Sequence, residues 1–294
     1  MAFGSIELRF LSGIARRLET LRALKLAAVA GAVFSLAMLS PASAAPINYG
    51  SHMGNTVTYV NVTEETNSND VQPLFGPPTV TGDSIDFNPI GFDANATGAG
   101  SVDITEGQLT FMVVAKDPIG SDFGIQSISF HEAGDTTLAG NVPAGSMNTA
   151  TAVFASGVVD IHEVDNVGIN HISVPFSLSF SPSGGTYFLG TDGGGGPLFN
   201  TQWTGSATLD LDAILIANGV PFDVGATKIS VNLDNTLAAV SEANTAAVLA
   251  KKDFGGLSIT VNQPDPGEIP EPASMALVGL GLLGLIAQRR RFDR

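Results

Sequence analysis

A chain of 294 residues with no cysteine excludes disulfides, thiolate metal sites and cysteine catalysis. It carries 28 acidic residues against 13 basic ones, and the imbalance is greatest in residues 45–270, where four lysines stand against 24 acids for a formal charge of −20. Such a surface repels nucleic-acid phosphates and attracts divalent cations or basic partners. We therefore expect no nucleic-acid partner.

The first 44 residues have the three parts of a secretory signal peptide. A basic stretch ends at Lys25, the apolar run 26–39 follows, and Ala42 and Ala44 form an A-x-A cleavage site. Positive charge stays on the cytoplasmic side while the apolar helix enters the membrane. We expect this signal helix to engage the secretion translocon, with a signal peptidase cut after Ala44 and a mature chain that begins at Ala45. An amphipathic N-terminal helix is the competing interpretation.

Residues 45–262 are predicted to form β-strands because apolar residues alternate with small polar ones. In the segment 172–180 the apolar side chains share one face, and Pro175, which has no N–H to donate, indicates an edge strand or a bulge. The alternation predicts about ten to twelve strands. The segments are 56–62, 84–87, 101–105, 108–115, 125–132, 151–155, 158–164, 172–180, 209–212, 229–233 and 257–261. The predicted fold class is all-β, an antiparallel, jelly-roll-like β-sandwich ectodomain.

Two segments depart from this alternation. The Ala-rich run 237–249 favours one short helix. The glycine run 193–196 indicates a flexible loop, and since no Lys-Ser or Lys-Thr follows it, it is not a phosphate-binding loop.

Two His-Glu dipeptides, His131-Glu132 and His162-Glu163, invite comparison with zinc-binding helices, but neither has a second histidine four residues on. Both lie in predicted strands, where neighbouring side chains point to opposite faces and cannot share one ion. We expect exposed strand histidines, with convergence of two distant histidines in space as the alternative.

Acidic residues offer a second kind of metal site. Asp210 and Asp212 are predicted to share one strand face, and Asp160 and Asp165 to lie near a sheet rim. With other loop acids they would supply oxygen ligands for Ca²⁺, which takes roughly six to eight. There is no EF-hand or RTX spacing, so solvated acidic faces are the default and the metal stays unknown. Paired carboxylates for glycoside hydrolysis cannot be selected among so many acids.

Trp203 is the single tryptophan, and Tyr187, Phe188 and Phe199 are near it in sequence. Such aromatic side chains give a platform for a sugar ring when exposed and fill a core when buried. We expect core packing. With no Gly-x-Ser-x-Gly turn and no other catalytic constellation, the chain is predicted not to be an enzyme.

After a Pro-, Gly- and Asp-rich spacer at 263–269, the chain ends in three elements. They are Pro270, Glu271 and Pro272, then the apolar run 273–287, and last Arg289, Arg290 and Arg291. A helix of about 15 residues rises about 22 Å, short of the ~30 Å hydrocarbon core, so the run predicts a short transmembrane helix. The arginines hold its end in the cytoplasm and leave everything upstream outside.

This order of Pro-Glu-Pro, short Gly- and Leu-rich helix and arginine cluster resembles a PEP-CTERM sorting tail. The resemblance covers residues 270–294 alone. It implies Gram-negative export, recognition by an exosortase-like membrane protease, removal of the tail near Pro270-Glu271-Pro272, and delivery to a surface or exopolysaccharide matrix. Such tails follow unrelated ectodomains, so activity cannot be carried over from them. A C-terminal anchor that is never cut is the alternative.

Together these features predict an exported cell-surface or extracellular-matrix protein, structural or adhesive, as in a biofilm matrix. Its tail would anchor it transiently in the inner membrane, and its expected partners are the translocon, signal peptidase, an exosortase-like protease and exopolysaccharide. No cofactor is expected apart from a possible Ca²⁺. Two alternatives stay open: a calcium-dependent, lectin-like carbohydrate-binding module, and a membrane-anchored glycan-active enzyme.

Overall fold

The computed structural model describes residues 45–68, 70–116, 124–251 and 257–262. The predicted signal helix (1–44), the spacer (263–269) and the tail (270–294) with its transmembrane helix (273–287) lie outside these residues. Within the described ranges, no helix is both long enough and apolar enough to cross a membrane.

The described residues form fifteen strands, one α-helix and a short 3₁₀ turn at Ser183–Gly185. In chain order they are β1 (Ile47–Met53), β2 (Val57–Thr66), β3 (Thr79–Thr81), β4 (Ser84–Phe87), β5 (Asp93–Thr97), β6 (Ser101–Ala115), β7 (Ser127–Ala139), β8 (Ala150–Val164), β9 (Val167–Ser177), β10 (Ser179–Ser181), β11 (Thr186–Phe188), β12 (Leu198–Asp210), α1 (Leu211–Ala217), β13 (Ala226–Ser241), β14 (Ala246–Lys251) and β15 (Leu257–Asn262). Strands therefore account for most of the described chain.

The strands form two sheets in which neighbours pair antiparallel. Sheet A has the order β1-β2-β6-β13-β8-β11, and β9 also pairs with β8. Sheet B has the order β10-β12-β7-β15-β4-β3, and β14 pairs with both β7 and β5. One cluster of buried apolar side chains from both sheets fills the space between them. The prediction of an all-β antiparallel sandwich is confirmed.

Two strands, β6 and β8, continue through a glycine at which the sequence pattern predicted a break. In each case an aromatic side chain occupies the space beside the glycine. Gly107 lies within β6, where an added Cβ would come 2.7 Å from the ring of Phe92 and 2.8 Å from that of Phe75. Gly157 lies within β8, where a Cβ would come 2.1 Å from the backbone oxygen of Asn232 and 2.9 Å from the ring of Phe176. A glycine in a strand pattern suggests an interruption. At these positions its missing side chain makes room for the core instead, and four predicted segments become two strands.

The edge position predicted from Pro175 is confirmed. Among the described strands, β9 pairs with β8 alone, and Pro175 lies opposite Val158. By contrast, β1 was not anticipated by the pattern, because Ile47–Met53 shows no clean alternation of apolar and polar residues. It pairs with β2 at the end of sheet A, with shifts in register near Gly50.

The helix expected at 237–249 is wrong. There β13 continues to Ser241, and β14 begins at Ala246. Ala239 and Ala247 are fully buried. Small side chains are needed at such inward positions, and pairing with β6, β8, β5 and β7 overrides the helix propensity of alanine.

Candidate functional site

Among the residues predicted to act in export and sorting, Ala45 is the one the structure describes. It lies exposed, two residues before β1. The others lie outside the described residues; they are Ala42, Ala44, Pro270, Glu271, Pro272, Arg289, Arg290 and Arg291.

The two His-Glu dipeptides do not form a metal site. His131 is exposed and Glu132 fully buried, so they point to opposite faces of β7 as predicted. On sheet A, the Nε2 atom of His162 lies 2.9 Å from Oγ of Ser230, and its ring centroid lies 6.4 Å from that of His171 on β9. Two histidines therefore do converge. Within the described residues, however, no three His, Asp or Glu side chains gather in a way that would hold an ion.

The shared strand face expected for Asp210 and Asp212 is wrong. The strand ends at Asp210, whose carboxylate accepts a hydrogen bond from the backbone N–H of Ala213 at 2.9 Å and so caps α1. Leu211 and Leu215, one turn apart, are fully buried. Asp212 lies in the first turn of α1. Burial, and next the charge of Asp210, raise its pKa.

The acids considered for the sheet rim have partners within the protein. The carboxylate of Asp160 accepts a hydrogen bond from the hydroxyl of Ser173. Asp165, in the turn between β8 and β9, accepts hydrogen bonds of 2.8 to 3.0 Å from the backbone N–H groups of residues 223–225. Burial raises the pKa of Asp165, but the three backbone donors outweigh burial and lower it overall. These carboxylates organise turns and strands.

The aromatic residues build core, as expected. Trp203 and Tyr187 are fully buried, and Phe188 is 8% exposed. The ring of Phe180 meets Trp203 edge-on, with 5.8 Å between centroids. Phe199 is partly buried against the same core. A sugar platform on Trp203 is excluded, because no ring face of a fully buried side chain is open to a ligand.

A groove opens where the chain crosses from sheet A to sheet B between β9 and β10. We name it the crossover groove; its volume is about 560 Å³. It is lined by Phe154, Ala155, Ser156, Ser177, Leu178, Ser179, Phe180 and Gly184. Phe154 is 40% exposed, and the three serines are exposed. The ring of Phe154 and three serine hydroxyls are therefore open to solvent in the same groove.

A buried polar site that the sequence did not predict lies between the sheets. We name it the Lys251 cluster; it consists of Lys251 on β14, Glu132 on β7 and Asn235 on β13. Nζ of Lys251 lies 2.7 Å from Oε2 of Glu132, and both side chains have zero exposure. The same Nζ donates a hydrogen bond to Oδ1 of Asn235 at 2.5 Å. The cluster therefore places an ion pair in the interior of the sandwich.

A second buried carboxylate belongs to Glu64 on β2, which also has zero exposure. It accepts hydrogen bonds from the backbone N–H groups of Leu74, Phe75 and Gly76, and from the hydroxyl of Tyr49 at 2.7 Å. It holds the loop that precedes β3 against sheet A.

One sequence signal marks both sites. Glu64 and Glu132 occupy inward positions in the alternation of their strands, two residues after Val62 and Phe130. A charged residue in an apolar position is rare unless it is paired.

The C-terminal segment is the part of the chain that a family model matches. A family model described as the PEP-CTERM protein-sorting motif matches residues 268–291. The tail is a PEP-CTERM sorting motif. The resemblance read from the Pro-Glu-Pro and arginine residues is confirmed, and the motif marks a secreted, surface-sorted protein. It implies export, transient membrane anchoring through the tail, and an exosortase as the processing partner.

The PEP-CTERM motif does not describe the sandwich, and other comparisons add little. No curated protein matches the chain. Similar solved structures include endoglucanase 3 of Trichoderma harzianum from family GH12 (9% identity, covering 75% of this chain and 97% of that one, TM-score 0.19). They also include a carbohydrate-binding module of the β-sandwich superfamily (11%, 69% and 73%, 0.15) and a chaperone–tip adhesin complex of CFA/I fimbriae (11%, 71% and 52%, 0.14). At such TM-scores the likeness carries no argument about function.

Proposed function

We propose that this protein is a non-enzymatic structural or adhesive component of the cell surface or of an exopolysaccharide matrix. Its jelly-roll-like sandwich would be exported through the leader at 1–44, anchored transiently by the tail, and released by an exosortase-like protease near Pro270. The PEP-CTERM motif at 268–291 carries the proposal, because it assigns the route to the surface.

The charge of the mature domain constrains how it would bind a polysaccharide. Cleavage at both expected positions removes nine of the 13 basic residues and leaves residues 45–270 at −20. Like charges repel, so an acidic polysaccharide would be held through divalent cations, whereas a neutral one would be contacted directly. A matrix component of this charge also stays soluble until it reaches such a partner.

Intact mass of the protein from its host's membrane, culture supernatant and extracellular matrix tests the route. We expect an extracellular species that begins near Ala45 and ends near Pro270. A variant with alanine in place of Pro270, Glu271 and Pro272 should stay in the membrane at full C-terminal length. Recovery of the unaltered protein only in the membrane, with Arg291 still present, would overturn the processing step and make it an anchored ectodomain.

A second proposal is that the crossover groove binds a glycan. Ligand sites in proteins are concave, largely apolar and supplied with a few polar groups. The groove has these properties, with the exposed ring of Phe154 and the hydroxyls of Ser156, Ser177 and Ser179 at its surface. An exposed aromatic face suits the apolar face of a sugar ring.

Polysaccharide binding by Phe154→Ala tests the groove, with Leu198→Ala as the matched control. Leu198 is 62% exposed and does not line the groove. We expect Phe154→Ala to weaken binding about tenfold, equivalent to about 1.4 kcal/mol, and Leu198→Ala to leave it unchanged. Repeating the titration with chelator separates calcium-dependent binding from direct binding. Equal affinity of both variants would rule out the groove.

A further inference from the structure

The Lys251 cluster brings an amine, a carboxylate and a carboxamide together in the interior. Lys251 and Glu132 have zero exposure, and Asn235 is 1% exposed. The three residues come from β14, β7 and β13, so that sheet A supplies the carboxamide and sheet B supplies the amine and the carboxylate.

Besides its contacts with Glu132 and Asn235, Nζ lies near two aromatic rings. The ring centroids of Phe92 and Phe75 lie 5.1 Å and 5.7 Å from it. Burial lowers the pKa of Lys251, and the neighbouring Glu132 opposes this shift without reversing it. Separated charges are costly in such an interior. Transfer of the proton from Lys251 to Glu132 gives a neutral amine, which is the nucleophilic form of lysine.

Three polar atoms of the cluster lack hydrogen-bond partners among the described residues: Nδ2 of Asn235 and both carboxylate oxygens of Glu132. Of the two oxygens, Oε2 has the ion pair with Lys251, and Oε1 has neither a hydrogen bond nor an ion pair. Buried polar networks that serve only stability normally satisfy such atoms. Here the unpartnered nitrogen belongs to the group that would leave a carboxamide, and the unpartnered oxygen belongs to the group that would carry a proton to it. Oδ1 of Asn235, which Nζ contacts, is bonded to the carbon that an amine attacks.

We propose that Lys251 and Asn235 join in an intramolecular isopeptide bond, with Glu132 as the proton carrier. The lone pair of the neutral amine attacks Cγ of Asn235 and forms the new C–N bond. The proton held by Glu132 passes to Nδ2, the Cγ–Nδ2 bond breaks, and ammonia leaves. One further proton moves from Nζ to the departing nitrogen by way of Glu132. The products are a secondary amide, the Glu132 carboxylate and an ammonium ion, so atoms and charge balance without any oxidant or cofactor.

The bond would be a covalent link between the two sheets in a chain that has no cysteine. It is independent of redox conditions and of metal ions, and it requires only that the sandwich has folded, because the three residues are far apart until β7, β13 and β14 meet. Formation of the bond does not depend on how the tail is processed.

Peptide mapping of the full chain recovered from exporting cells tests the bond. Trypsin cuts after Lys228 and, when Lys251 is free, after Lys251, which gives the peptide 229–251. Trypsin does not cut after a linked Lys251, so the product becomes 229–252. Its mass is lower by one ammonia than the mass calculated for the unlinked 229–252 peptide. Further digestion after Glu242 should leave the two halves, one with Asn235 and one with Lys251, joined in a single species.

Three outcomes decide the proposal. Joined halves in the protein, and separated halves in a folded Glu132→Gln variant, support the bond and the role of Glu132. Recovery of the free 229–251 peptide from folded protein overturns it. Loss of ammonia with halves that separate reports a cyclised asparagine and overturns it equally. Should Glu132→Gln fail to fold by circular dichroism, the digest of the unaltered chain decides alone, and cleavage after Lys228, which pairs with Glu163 at the surface, is its internal control.

Discussion

Glu64 and Glu132 are both fully buried glutamates on inward positions of neighbouring sheets, but their surroundings differ. Glu64 receives three backbone N–H groups and a phenol hydroxyl. Glu132 faces a single cation, Lys251, and its Oε1 has no hydrogen-bond partner among the described residues. Several neutral hydrogen-bond donors stabilise the ionised form of a buried carboxylate such as Glu64. A buried carboxylate whose partner is an amine, such as Glu132, can instead take up a proton from that amine.

Because of these different contacts, the two buried glutamates have different roles. The carboxylate of Glu64 accepts hydrogen bonds from the backbone N–H groups of residues 74–76 and so fixes this loop to β2. Among the described residues, no backbone N–H donates to the Glu132 carboxylate of the Lys251 cluster. Under the proposal above, the cluster instead brings three reactive groups together.

The largest expected effect comes from Lys251→Met, which leaves Glu132 buried without its cation. We expect the free energy of unfolding to fall by about 3–5 kcal/mol, as for other broken buried ion pairs. Adding Glu132→Leu should restore the part of the loss that comes from the unpaired charge, because an apolar pair of similar volume replaces both charges, but not the part that comes from the missing isopeptide bond. Urea denaturation measures all three proteins. A double variant as unstable as the single one would contradict the view that the unpaired charge causes the loss.

A smaller loss is expected for Glu64→Gln, of about 2–3 kcal/mol, because an amide offers one acceptor oxygen and turns its N–H groups toward other donors. Glu65→Gln, on the next residue and only partly buried, is the matched control and should stay within about 0.5 kcal/mol of the unaltered protein. Equal losses for the two variants would show that Glu64 does not organise the loop.

Tyr49→Phe should cost about 1–2 kcal/mol, since it removes one hydrogen bond to a charged group, the 2.7 Å contact with Oε2 of Glu64. Combined with Glu64→Gln, the losses should be less than additive because the two side chains share the contact. If the two losses were strictly additive in thermal or urea unfolding, Tyr49 would not act through its hydrogen bond to Glu64.

The smallest effect at neutral pH concerns the three tyrosines, Tyr49, Tyr59 and Tyr187, which are the only ones in the chain. Burial first, and nearby carboxylates second, raise the pKa of all three above the ordinary value of 10.0, that of Tyr187 to about 12. Since the folded-state pKa values are raised, this stabilisation is complete below pH 10 and is lost as the pH rises through the folded-state values. Phenolate absorbance should titrate well above pH 10 in the native protein and near 10 in urea. A native titration near pH 10 would contradict the burial of these hydroxyls.

Alternation of apolar and polar residues was enough to predict the sandwich and most of its strands, since one-sided burial imposes a period of two. The pattern could not separate a strand from a capped helix at 209–212, because Asp210 is equally suited to a strand end and to an N-cap. Nor could it predict that the alanines at 237–249 pack between sheets, because that depends on partners far away in sequence.

The sorting tail could be predicted from local motifs alone, since the order of its elements along the chain is the information. The Lys251 cluster could not. Glu132 and Lys251 each stand out as charges at inward positions, but 119 positions separate them, and Asn235 carries no charge that would mark it. Only the pairing of β14 and β15 beside β7, with β13 across the core, brings the three together.

The place of β13 in the fold has a consequence for the timing of folding. It lies in the centre of sheet A and pairs with β6 on one side and β8 on the other along nearly its whole length. Until residues 226–241 join sheet A, its earlier strands form two groups, one with β6 and one with β8, that have no common neighbour. Long-range pairing of this kind makes folding slow. Sheet A therefore closes only after β13, which lies in the last quarter of the chain, has been added.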